Sequence, residues 1–142
     1  MVAVGTRGGE RRSGRALWDI GEADPATAGL AGVWYGLQTL PGDAPAPTGA
    51  AGLLLNLMDV PPEHEDEFND WYDTEHVPRF SAIEGVLLAR RFRSDTASPR
   101  YAAFYHLTSL DVVASAAWRA AATTTRTARM RSIRYNNRRL LF

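Results

Sequence analysis

From residue 53 onward the apolar and polar positions follow two rhythms in turn. LLLNLMD, Leu53–Asp59, is a short apolar run broken once by Asn56, the pattern of a mostly buried strand. Pro61 and Pro62 lead into EHEDEFNDWYDTEHV, whose early carboxylates favour a helix N-terminus and whose successor, Pro78, predicts a stop just past His76. VLLARRFR, Val86–Arg93, and RYAAFYHLT, Arg100–Thr108, read as strands flanking the polar loop SDTASP. The stretch from Ser109 to Ser132 has an acidic start, an alanine-rich middle and a basic end, so it predicts a second helix, weakened by Thr123, Thr124 and Thr125. IRYNNRRLLF closes as a fourth strand. Strand, helix, strand, strand, helix, strand is the ferredoxin-like order: an α+β domain over residues 53–142, with a four-stranded antiparallel sheet and both helices on one face.

Residues 1–40 look like the second half of another copy of that unit. Ala16, Leu17, Trp18 and Ile20 match Ala103, Phe104, Tyr105 and Leu107, with Asp24 on Asp111. Val33, Trp34 and Tyr35 then take the place of a last strand, reached through a much shorter helix. The chain is expected to carry one and a half repeats, joined by the connector PGDAPAPTGAAG at residues 41–52, which is rich in proline, glycine and alanine. The half-repeat could pair with the complete repeat as a pseudo-partner, or reflect a start codon assigned too late.

On a regular helix of about 100° per residue, Trp71, Tyr72 and Glu75 fall within about 60° of Phe68, and His76 lies on the shoulder, about 80° away. Glu75 is thus expected to point inward. A carboxylate there must be paired, hydrogen-bonded or protonated. Arg79 or Arg90 could supply an ion pair, and Tyr72 or Tyr105 a hydrogen bond. The alternative is a general acid or base in a pocket between helix and sheet. His76, next to the expected break, can reach toward the sheet and titrates near neutrality. His106 shares a strand face with Ala102, Phe104 and Thr108, opposite Tyr101, Ala103, Tyr105 and Leu107, and either face could border a pocket. Asn56 could orient a ligand or satisfy a backbone group.

Composition removes several classes of function. There is no cysteine, so thiolate catalysis, disulfides and cysteine metal sites are excluded. The sixteen basic residues are all arginine, which excludes lysine Schiff-base chemistry, and they balance sixteen acids. Zero net charge gives no long-range field for nucleic acid despite the arginines after residue 125, which are read as a solvated helix face paired with the acidic first helix. No apolar run could cross a bilayer and no secretory signal is evident, so a soluble cytoplasmic protein without a membrane partner is expected. His64, Glu75 and His76 do not make a metal site. Glu75 and His76 diverge by about 100°, and His64 lies three turns away at about 1.5 Å rise per residue. No phosphate-binding loop, dinucleotide fingerprint or nucleophile elbow is present.

The series E-x-x-F-N-x-W-Y-D-x-E-H-V-P, G-x-x-x-A-R-R-F, R-Y-x-A-x-Y-x-L and A-W-R, at Glu65–Pro78, Gly85–Phe92, Arg100–Leu107 and Ala117–Arg119, resembles the EthD-like branch of the dimeric α/β-barrel superfamily. WYDTEHVP is the most specific part. The resemblance implies a homodimer, or two repeats, with sheets facing each other and ligand pockets between each sheet and its own helices. Superfamily members include cofactor-free monooxygenases, polyketide cyclases, muconolactone isomerases and haem-binding branches. Trp71, Tyr72, Glu75, His76 and Arg79 fall at the motif positions of a pocket wall and mouth. Two departures stand out: TTTRTARM occupies the place where members often carry an aromatic residue with a proline, and the N-terminal half-repeat has no counterpart of WYDTEH.

The leading expectation is a cofactor-independent enzyme of secondary metabolism or aromatic catabolism, performing cyclisation, isomerisation or dehydration on an apolar, oxygenated small molecule. His76 would move the proton, with Glu75 orienting it or sharing the proton. Tyr72 and His106 would hold a developing enolate oxygen, and Trp71, Phe104 and Tyr105 would form the walls. A non-catalytic binding or assembly protein is the alternative. A haem protein or cofactor-free monooxygenase is the third.

Overall fold

The computed structural model describes residues 2–7, 14–19 and 34–142. Seven strands form one sheet: β1 (Val2–Arg7), β2 (Gly14–Asp19), β3 (Trp34–Leu40), β4 (Gly52–Asp59), β5 (Val86–Arg93), β6 (Tyr101–Leu107) and β7 (Tyr135–Leu141). Their order is β2-β1-β3-β5-β6-β4-β7, and every described pairing is antiparallel. The four strands of residues 52–141 alone give β5-β6-β4-β7, the ferredoxin-like arrangement. β3 extends the sheet beside β5, with Leu37 opposite Arg93 and Gln38 opposite Phe92. Residues 41–51 carry no helix or strand, as suits a connector. Ile20, Asp24 and the short helix assigned to the half-repeat fall on residues 20–33, outside the described residues.

The first helix does not stop at His76. α1 (Glu65–Trp71) passes through a π turn at Tyr72–His76 into α2 (Val77–Ser81), so the helix runs on through Pro78. In a regular helix a proline ring clashes with the carbonyl four residues back and donates no hydrogen bond. The widened turn lies directly before Pro78, where the Val77 amide reaches five residues back to the Tyr72 carbonyl, and it relieves that conflict.

The second predicted helix is broken where its threonines cluster. After a 3₁₀ turn at Leu110–Ala114 come α3 (Ala116–Ala121) and α4 (Thr125–Ile133). Ser115 caps α3 by accepting the Trp118 amide, and Thr124 caps α4 by accepting the Thr127 amide. A threonine hydroxyl serves better at a cap than in a helix interior, and Thr124 sets the break.

Helices α1 to α4 cover one sheet face. Phe68, Trp71, Tyr72 and Phe80 are buried there against Leu54, Met58, Tyr101 and Tyr105. A second cluster on the other face joins Trp34, Leu55, Leu57, Phe92 and Phe104, and the Trp34 indole donates to the Pro99 carbonyl at 2.6 Å. β6 is therefore buried on both faces, every residue of it. Charge enters the helix-side core only in neutralised form. Arg91, 3% exposed, lies 4.2 Å from the Tyr72 ring centroid and donates to Asp73 and Asn69 at 2.8 Å each. Asp59 ends β4 by accepting from the Arg100 amide, Ser98 and Asn136, and these partners hold its carboxyl below the usual range although burial opposes this.

Candidate functional site

The π turn decides which side chains of WYDTEH face the sheet. A π turn adds one residue to the helix, so positions after Tyr72 are displaced by one step of about 100° from a regular wheel. His76 then takes the inward direction that a regular helix assigns to Glu75, and Phe80 moves from about 120° to about 20° of Phe68. The expectation of an inward Glu75 is corrected accordingly. His76 is 7% exposed, whereas Glu75 sits at the helix edge, accepts from the Thr124 hydroxyl at 2.6 Å and lies 3.8 Å from Arg126. Glu75 pairs with neither Arg79 nor Arg90 and makes no hydrogen bond to His76. It ties the first helix to the cap of α4.

His76 packs among aromatic rings, with centroids 4.2 Å from Trp71, 4.5 Å from Phe80 and 4.9 Å from Tyr72. Its Nδ1 is buried and has no hydrogen-bond partner, and the same holds for Tyr105 Oη and Trp71 Nε1. The Tyr72 hydroxyl donates to Met58 Sδ at 3.4 Å. Burial, reinforced by the positive fields of Arg134, Arg131 and Arg91, lowers the imidazole pKa from 6.5 to about 3, so His76 is neutral at physiological pH. Burial raises the phenol of Tyr72, and raises that of Tyr105 well above its usual value; both remain O–H donors.

A cavity of about 170 Å³ opens beside His76 between β4, β6 and β7 and the helices. Phe80, Tyr105 and Trp118 give it aromatic walls, and Asn56 places a carboxamide in it, as the sequence pattern allowed. Trp71 and Tyr72 stand behind His76 as packing partners. His106 and Phe104 do not take part. Strand alternation sends Phe104 into the second cluster and puts His106 on that same face, opposite Tyr105. Arg79 is exposed on α2 and does not border the cavity.

The remaining wall was not foreseen. Arg131, Arg134, Arg138, Arg139 and Asn137 border the cavity, and among the described residues no aspartate or glutamate does. Arg139 stands opposite Asn56 across β4–β7 and shares its face, while Arg138 pairs with Leu57 and so belongs by register to the other side. Arg126 and Arg129 do pair with the acidic first helix, through Asp70 at 2.7 Å and Glu67 at 2.5 Å. The sequence signal for the difference was the fourth strand itself: its pairing with β4 carries the last arginines to the cavity. Among the described residues no group of three or more histidines and acids could hold a metal ion, and no helix is long and apolar enough to cross a membrane.

No family model matches the chain, and no curated protein is similar to it in sequence. A solved structure named "putative monooxygenase", from Fusobacterium nucleatum subsp. nucleatum, has a TM-score of 0.50 at 14% identity and covers 67% of this chain and 43% of that one. The chain thus spans less than half the length of that protein. At such identity the likeness is one of fold alone.

Proposed function

We propose that the chain is a small-molecule enzyme of the EthD-like branch, acting as a homodimer without a cofactor and carrying out proton transfer next to a carbonyl, as in cyclisation, isomerisation or dehydration. The observation that carries this reading is a cavity that brings His76, Tyr105 and Asn56 together beside an aromatic wall. In this scheme neutral His76 accepts or donates the proton through its imidazole. The Tyr105 hydroxyl and the Asn56 carboxamide donate to the oxygen on which negative charge develops. Tyr72, Glu75 and Arg91 act by holding the helix and its rings in place.

Deuterium uptake from heavy water into a panel of β-keto and unsaturated lactone compounds tests this without knowledge of the product. The expected outcome is enzyme-dependent exchange at a carbon beside a carbonyl, reduced at least about a hundredfold in His76→Ala. Equal exchange by wild type and His76→Ala across the panel overturns it. The second reading, binding without turnover, is favoured by the engagement of Glu75 with Thr124 and by the weak basicity of the buried imidazole. A compound that binds but never exchanges supports it.

A further inference from the structure

We propose that the cavity's ligand is a small organic carboxylate carrying a single ring, with its anion held by Arg131, Arg134 and Arg139 and its ring against Phe80, Tyr105 and Trp118. The proposal rests on reading the cavity as a small-molecule site and adds the chemical class of its occupant.

The charge pattern points this way. Five arginines away from the cavity, on β5, α4 and the loop before β6, meet acids: Arg91 with Asp73, Arg93 with Asp95, Arg100 with Glu65, Arg126 with Asp70 and Arg129 with Glu67. The three at the cavity differ. Among the described residues none of them has a carboxylate within ion-pair distance, and the nearest recorded contact is Arg134 Nη1 to Met58 Sδ at 3.9 Å. They converge from separate elements, Arg131 from α4, Arg134 from the residue after it and Arg139 from β7. A guanidinium is always charged and presents a planar fork that matches a carboxylate. The volume fixes the rest. About 170 Å³ is close to the ~150 Å³ of a cavity that accepts benzene, so one ring fits. A ring on the aromatic wall and an anion at the arginines set the ligand beside His76. An anion seated there also offsets the field that Arg131 and Arg134 place on His76, making the imidazole a better base in the complex than in the free protein.

Isothermal titration calorimetry with benzoate, benzamide, acetate and inorganic phosphate separates these contributions. Benzoate is expected to bind at least about tenfold more tightly than the other three. Arg131→Gln and Arg134→Gln are each expected to weaken benzoate about tenfold, as for loss of one charge-assisted hydrogen bond, and to leave benzamide unchanged. Arg129→Gln, which touches only Glu67 on the outer surface, is expected to change neither. Benzamide binding as well as benzoate overturns the anion assignment and leaves the cavity reading intact. Phosphate or acetate equal to benzoate overturns the ring, and unchanged benzoate affinity in both arginine variants overturns the seat. If neither ring compound binds, the cavity reading fails together with the proposal.

Discussion

His76 shows how one residue can hold several constraints at once. It is buried among three rings, its Nδ1 lacks a partner, and burial lowers its pKa to about 3. The unfolded chain protonates this imidazole below about 6.5, whereas the folded chain resists until about 3. Between those values the unfolded state binds more protons, so stability conferred by neutral His76 is full above 6.5 and falls as the pH drops toward 3. The loss approaches ~1.4 kcal/mol per pH unit within the window. Urea unfolding at pH 4, 5, 6 and 7 checks this: His76→Asn should flatten the difference relative to wild type. A parallel pH dependence in both proteins would assign the slope to other groups. The residue was legible in the sequence as a candidate, but its direction was not, because a regular wheel cannot contain a π turn. A signal was present nonetheless. Phe80 is a large apolar residue, yet a regular wheel puts it about 120° off the core direction, and a skipped residue restores it.

At the scale of elements, the strands and helices of residues 52–141 were readable because their periods and end signals agree. The unforeseen features are places where one residue serves two elements. Thr124 is the clearest: its hydroxyl accepts the Thr127 amide as the cap of α4 and donates to Glu75 on the first helix. Losing a cap costs about 0.5–2 kcal/mol, and here the Glu75 contact goes with it. Thr124→Ala is therefore expected to lower stability by about 1–2 kcal/mol, and Thr124→Ser to recover most of the loss, both read from denaturant midpoints. Equal midpoints for Ala and wild type would remove Thr124 from the joint. Glu75 was singled out as an inward acid, but its partner lies 49 residues away at the cap of another helix. No local pattern reports such a contact. The arginines of the last strand were misread for the same reason, since only the pairing of β7 with β4 carries Arg139 beside Asn56.

For the whole molecule, the sheet joins a fully buried centre to an exposed margin. β6 is covered on both faces, while β7 is a sheet edge whose residues are mostly exposed, Tyr135 at 53% and Leu141 at 52%. That margin is also one wall of the cavity. Strands at an edge open by local unfolding at lower free energy than strands in the core, so the wall that carries the arginine cluster doubles as a door. Fraying of a few β4–β7 hydrogen bonds is then expected to widen the cavity without motion of the helices. Amide hydrogen exchange should show this as fast exchange along β7 against slow exchange along β6, with β7 slowed when a carboxylate bridges Arg139 to α4. On these terms the opening of the cavity and the breathing of one strand become a single rate.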